Sequence, residues 1–213
     1  MLAALPSLSA PWGKTMSRVL DLIGKRAAMP TIVAPKLTYR DLRAMPNDGK
    51  RYELIEGEVY MTPSPSWRHQ EIVGNLYVAL RTFVVAGNLG KVSLAPLDVV
   101  FDDRNAVQPD LLFVRKEREG LIRKANVQGP PDLVIEVLSP STASFDRETK
   151  LQVYARAGVP EIWYIDPEKE TVEVLNLAAD RRYLLTASLT GDSAIPSAVL
   201  PDLPLALREV FAS

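Results

Sequence analysis

The chain has 213 residues, with 25 Lys+Arg against 26 Asp+Glu for a net charge of −1, no cysteine and one histidine. The absence of cysteine excludes disulfides, zinc ribbons, iron–sulfur clusters and thiol catalysis, and the single histidine excludes sites that need two imidazoles. A near-neutral chain also argues against extensive backbone binding to nucleic acid, which usually leaves a basic excess.

The charge is unevenly placed. Residues 1–51 carry nine Lys/Arg against three Asp/Glu, a balance of +6; residues 52–213 carry 16 against 23, a balance of −7. Residues 16–27 place Met16, Val19, Leu22 and Ile23 at helical spacing with Arg18, Lys25 and Arg26 outside that stripe. That pattern fits a docking helix or a partly disordered extension, so residues 1–35 read as an N-terminal extension and 36–213 as a single domain. No apolar run approaches the ~20 residues that span a bilayer, and no charged n-region precedes the first apolar stretch. The expectation is a cytoplasmic protein without a membrane partner.

From residue 36 onward, the punctuation is regular. Thr38 caps a short helix over 38–44, which ends before Pro46 and the turn Asn47-Asp48-Gly49. Strands over 51–55 and 58–61 flank Glu56-Gly57, a pair suited to a tight hairpin. Pro63-Ser64-Pro65-Ser66 leads into the longest predicted helix, 67–86, whose apolar stripe runs through Ile72, Val73, Leu76, Leu80, Phe83 and Val84. Two strands follow, over 91–101 and 107–114, joined by a turn at 102–105. The basic cluster Arg115, Lys116, Arg118, Arg123 and Lys124 reads as a solvated loop. A third strand covers 132–139, and a helix covers 144–157. Strands over 161–165, 171–177 and 182–188 and a short helix over 205–211 complete the chain. This order predicts an α/β fold, a mixed α+β sheet flanked by helices.

Three positions break the local pattern. Glu136 sits inside the apolar run 132–138, where an ionised carboxylate is costly unless it is paired or holds a metal; a sheet-end position or an arginine partner would also accommodate it. Asp110 opens another apolar strand directly after Pro109, as either a turn residue or a partner for Glu136 on a neighbouring strand. Two hard oxygen ligands with water and a substrate phosphate are what magnesium prefers. Asp146, Lys150 and Tyr154 are spaced four apart on the following helix, as a surface ion pair or with the ammonium directed at the carboxylates.

In order, the residues resemble a known family. The runs are 51–60 (RYELIEGEVY), Pro63-Ser64-Pro65-Ser66 with His69-Gln70, 97–100 (LDVV), Gln108-Pro109-Asp110, 131–142 (PDLVIEVLSPST), Asp146…Lys150…Tyr154, and 158–163 (GVPEIW). The series is similar to the restriction-endonuclease-like family called Uma-two, within the PD-(D/E)XK nuclease superfamily, and spans about residues 37–166. The resemblance implies a restriction-endonuclease-like core with Asp110 and Glu136 as the metal-binding carboxylates. The superfamily lysine is expected two residues after that Glu, where this chain has Leu138, and Lys150 takes its place from the following helix. Glu53 matches an acidic position that completes the metal shell, although it also reads as a strand-edge charge paired with Arg51 or Lys50. His69 lies on the apolar stripe of its helix, as a structural histidine or as a group near the phosphate.

The expected function is a magnesium-dependent (or manganese-dependent) endonuclease acting on nucleic acid, DNA rather than RNA, and working as a homodimer. The alternatives are a nuclease-fold binding module without robust turnover and a structural dimer assembled through the apolar strands over 161–177.

Overall fold

The computed structural model describes residues 35–46, 48–139 and 143–212. The predicted amphipathic segment 16–27 and the rest of 1–34 lie outside the described residues, as do Asn47 and residues 140–142.

The first helix, α1 (Tyr39–Ala44), starts where Thr38 and Asp41 form a reciprocal capping box. Strands β1 (Arg51–Ile55) and β2 (Glu58–Thr62) pair as a hairpin. Its two-residue turn has positive φ at both Glu56 and Gly57, which suits the right-handed twist of the strands. A side chain at Gly57 would also press on Lys36 and the Leu37 backbone. Helix α2 (Trp67–Ala86) has the predicted bounds, with the Ser66 side chain accepting from the His69 N–H. Ile72, Val73, Leu76, Leu80 and Val84 form its buried stripe.

Both long strands predicted over 91–101 and 107–114 are broken. The first becomes β3 (Gly90–Leu94) and β4 (Asp98–Asp102); the second becomes β5 (Asn105–Val107) and β6 (Leu111–Arg115). Each break contains a proline, Pro96 or Pro109, which cannot donate to a ladder and so interrupts a central strand. At each break the chain passes from one sheet to another. A 3₁₀ turn (Lys116–Leu121) and the short strand β7 (Asn126–Gln128) occupy the basic stretch read as a loop. There Arg118 is structural, donating to Asp132 at 2.7 Å and to the Pro130 carbonyl at 2.8 Å.

Strand β8 (Leu133–Val137) leads to a helix in three consecutive parts: α3 (Ala143–Phe145), a π turn (Asp146–Lys150) and α4 (Leu151–Ala157). Strands β9 (Glu161–Asp166), β10 (Thr171–Leu177) and β11 (Tyr183–Leu189) follow, then α5 (Leu207–Val210).

Among the described residues the strands form a five-stranded sheet, β2-β1-β5-β4-β7, and a six-stranded sheet, β11-β10-β9-β8-β6-β3. Both are mixed, with β4 parallel to β7 and β8 parallel to β9. The central strands β6, β8 and β9 of the six-stranded sheet are buried on both faces, whereas β11 at its edge is largely exposed. Leu111, Phe113, Leu133, Ile135, Trp163 and Ile165 pack with α2 and the C-terminal segment. The alternate residues Leu112, Val114, Val134, Ile162 and Tyr164 pack against the other sheet and α4. This accounts for the near-continuous apolar runs of β6, β8 and β9. Within 161–177, read as a possible dimer interface, β9 is buried and β10 is paired along both edges.

Candidate active site

The two sequence-selected carboxylates meet across the β6–β8 ladder. Leu111 pairs with Ile135, so one step along the antiparallel register sets Asp110 opposite Glu136. Both belong to the face of the six-stranded sheet that looks toward the β1–β2 hairpin and α4. The Val137 backbone N–H donates to Asp110 Oδ2 at 2.9 Å, so Asp110 is fastened to the strand that carries Glu136. Asp110 is 7% exposed and Glu136 3% exposed.

Lys150 enters from the π turn, a helical distortion that clusters at functional sites. Its Nζ lies 2.9 Å from Glu136 Oε1, 3.1 Å from Glu53 Oε1 and 3.4 Å from Asp146 Oδ1. The Tyr154 hydroxyl, one turn further, donates to the same Glu136 oxygen at 2.5 Å. The face inferred from the spacing of Asp146, Lys150 and Tyr154 thus points into the site. Glu53 is buried, and its Oε1 also accepts the Gln108 backbone N–H at 2.7 Å. Its partner is Lys150 rather than Arg51 or Lys50. His69, on the first turn of α2, places Nε2 3.2 Å from Asp110 Oδ2, while its Nδ1 is buried without a partner. The structure therefore brings Glu53, His69, Asp110, Glu136 and Lys150 together. They line a cleft of about 250 Å³, walled by Arg51, the connector Pro63–Ser66 and Asp146.

The electrostatics follow from this crowding. Burial, opposed by the Lys150 charge and assisted by Asp146, Asp110 and Glu53, pushes the Glu136 carboxyl up to about 8. Burial also works against the Lys150 ammonium, but Glu136, Glu53 and Asp146 outweigh it and hold the lysine charged well above its ordinary range. Asp110 is desolvated too, yet His69 and the Val137 amide bring its carboxyl below the usual value. Burial opposes charge on His69, and Asp110 overcomes it, so the imidazole is raised above its ordinary value.

Four carboxyl groups crowd into this cleft, and the upward shift of Glu136 expresses their burial and mutual repulsion, which a bound cation would relieve. Asp110 Oδ1 and Glu136 Oε2 take part in none of the hydrogen bonds described. They suit a hard divalent ion that takes one or two carboxylates and completes its shell with water and substrate oxygens. Among the described residues no three His, Asp or Glu side chains are gathered closely enough to hold an ion by themselves. Water and substrate would therefore supply the remaining ligands.

Two buried groups carry no clear signal in the sequence. Asp146 was seen only as the lysine's helical neighbour, although it is 6% exposed and lines the cleft. Glu161, fully buried at the start of β9, looks from sequence like an ordinary strand-end charge. It accepts from Trp163 Nε1 (2.8 Å), Ser197 Oγ (2.5 Å), Asn176 Nδ2 (2.9 Å) and the Ala198 amide (2.7 Å), which is a structural role.

The family described as "Uma2: Putative restriction endonuclease" matches residues 39–208. The chain belongs to this family. A protein of Synechocystis sp. described as uncharacterized is 25% identical over 147 residues, covering 68% of this chain and 82% of that protein. A crystal structure from Anabaena variabilis, described as "a putative nuclease belonging to DUF820", superposes with a TM-score of 0.67 at 21% identity. That match covers 83% of this chain and 98% of the other, and establishes the shared fold, which is restriction-endonuclease-like. The Uma2 match runs from α1 to the first residues of the C-terminal helix, and so includes each residue that lines the cleft. No helix among the described residues is long and apolar enough to cross a membrane.

Proposed function

We propose that this Uma2 protein is a metal-dependent endonuclease that hydrolyses phosphodiester bonds of nucleic acid, with DNA as its substrate. The observation that carries this reading is the placement of Asp110 opposite Glu136 on adjacent strands, with the Lys150 ammonium at 2.9 Å from Glu136. Membership of a family described as "Putative restriction endonuclease" favours DNA.

In this reading Asp110 and Glu136 hold a magnesium or manganese ion. Bound there, an ion would supply Lewis-acid polarisation of the phosphate and would lower the pKa of a water. Hydrolysis then joins the water oxygen to phosphorus, breaks the bond to the leaving ester oxygen and returns a proton to that oxygen. Lys150 directs positive charge at the place where negative charge develops and orients Glu136. Glu53 and Asp146 hold the lysine there. His69 fixes the orientation of Asp110, as an outer-shell partner of a metal ligand does.

The test is incubation of the purified chain with DNA and RNA, single- and double-stranded, with magnesium, manganese or chelator. Metal-dependent cutting of DNA that Asp110→Ala and Glu136→Ala each abolish is the expected result. Cutting that survives both substitutions would sink the assignment.

A further inference from the structure

Arg51 is the charged group of the cleft that the proposed chemistry leaves unused. It opens β1, opposite Thr62 of β2, beside the connector that forms the mouth of the cleft. Residues 51 and 53 project to the same face of their strand, so Arg51 and Glu53 enter the cleft together. Lys150 takes Glu53, Glu136 and Asp146, and His69 takes Asp110. Arg51 has no carboxylate within ion-pair distance among the described residues. Its Nε is buried without a partner, and one terminal nitrogen makes a long 3.4 Å contact with the Gln108 carbonyl. A guanidinium keeps its charge at any physiological pH, so it cannot relieve this situation by losing a proton. An unpaired donor of this kind is costly when desolvated. Its planar fork matches two oxygens of a phosphate.

We infer that Arg51 is the phosphate-binding residue of this site: it takes the non-bridging oxygens of a backbone phosphate of the nucleic acid strand lying in the cleft. The inference rests on the nuclease reading and adds the group that grips the substrate, which neither the carboxylates nor the lysine can do. Asp110 repels a phosphate until a cation is present, Glu136 offers it no positive charge, and Lys150 is already surrounded by three carboxyl groups. Among the described residues that line the cleft, Arg51 is the cation without a carboxylate partner, and so is left to meet the substrate directly. It also resolves the charge puzzle locally, since one arginine at the mouth provides an anion contact without a basic surface.

The experiment is steady-state cleavage of a fluorophore-quencher DNA oligonucleotide in excess magnesium, at a series of potassium chloride concentrations. Wild type, Arg51→Gln and Arg51→Lys are compared, and their melting temperatures are recorded in parallel. Arg51→Gln should lose about 10- to 100-fold in kcat/KM, with the slope of log kcat/KM against log salt reduced by about one. Arg51→Lys should keep the wild-type slope while recovering only part of the rate, because an ammonium replaces the charge but not the fork. The lysine variant also keeps the comparison readable if Arg51→Gln folds poorly. A structural role would lower the melting temperature without moving the salt slope. Unchanged slope and kcat/KM in Arg51→Gln, with Asp110→Ala and Glu136→Ala inactive, would overturn the role of Arg51 and leave the nuclease reading intact. A wild-type chain that cuts no nucleic acid would overturn both.

Discussion

Lys150 Nζ and Glu136 Oε1 stand 2.9 Å apart, joining a helix to the strand before it across fourteen residues. The contact is buried, and Glu53 and Asp146 close around the same ammonium. Removing one member of a buried charge group leaves the others uncompensated, which is the expensive case. Lys150→Met should cost about 3–5 kcal/mol of unfolding free energy, read as a shift in the urea midpoint. It should also abolish cutting. A variant as stable as wild type would show that the lysine does not balance the cluster.

Asp110→Asn and Glu136→Gln keep shape and remove the carboxylate that would ligate a metal. Each should retain the fold and lose more than the ~100-fold in rate that follows loss of an outer-shell partner of a metal ligand. Circular dichroism checks the fold, and the oligonucleotide assay checks the rate. Chelator should silence the wild type to the same level, and magnesium should restore it.

His69 acts on Asp110 through one hydrogen bond of 3.2 Å, so His69→Ala should weaken the grip on metal rather than erase the chemistry. The magnesium concentration for half-maximal cutting should rise about 10- to 100-fold. Saturating magnesium should recover much of the rate. A loss of rate that no magnesium concentration restores would mark His69 as a participant in the reaction itself.

Glu161 separates structure from chemistry. Glu161→Ala strands the Trp163 indole N–H, the Ser197 hydroxyl and the Ala198 amide in a buried site. The cost should be at least about 3 kcal/mol, measured by chemical denaturation. Below the melting temperature, the folded fraction should cut as wild type, because Glu161 faces the opposite side of the sheet from Glu136.

Much of this was legible because charge stands out in apolar sequence. Glu136 and Asp110 were found as interruptions of buried strands, and Lys150 by its four-residue spacing from Asp146 and Tyr154. The α2 boundaries were readable because Ser66 caps the start and the stripe stops before Gly87. What escaped is equally physical. Residues 91–101 and 107–114 are each largely apolar and read as continuous strands, which concealed the change of sheet that Pro96 and Pro109 impose. Three-residue β7 is too short to show a period. Glu161 hid at the start of a strand, where charge ordinarily meets water. Arg51 is visible in sequence only as part of a motif and as a possible partner of Glu53, because whether an arginine lacks a partner depends on where Lys150 lies about a hundred residues later.

The passage from β5 to β6 at Gln108-Pro109-Asp110 has a mechanical meaning. Gln108 tethers Glu53 of the five-stranded layer through its backbone amide, and two residues later Asp110 is bonded to β8 of the six-stranded layer. The cleft therefore straddles a seam, with Arg51 and Glu53 riding on one plate and Asp110 and Glu136 on the other. Any sliding of one plate over the other changes the gap between the arginine and the paired carboxylates, while the spacing within each pair stays as the strands set it. Pro109, lacking an amide hydrogen, is the stitch that keeps the two plates from merging into one ladder.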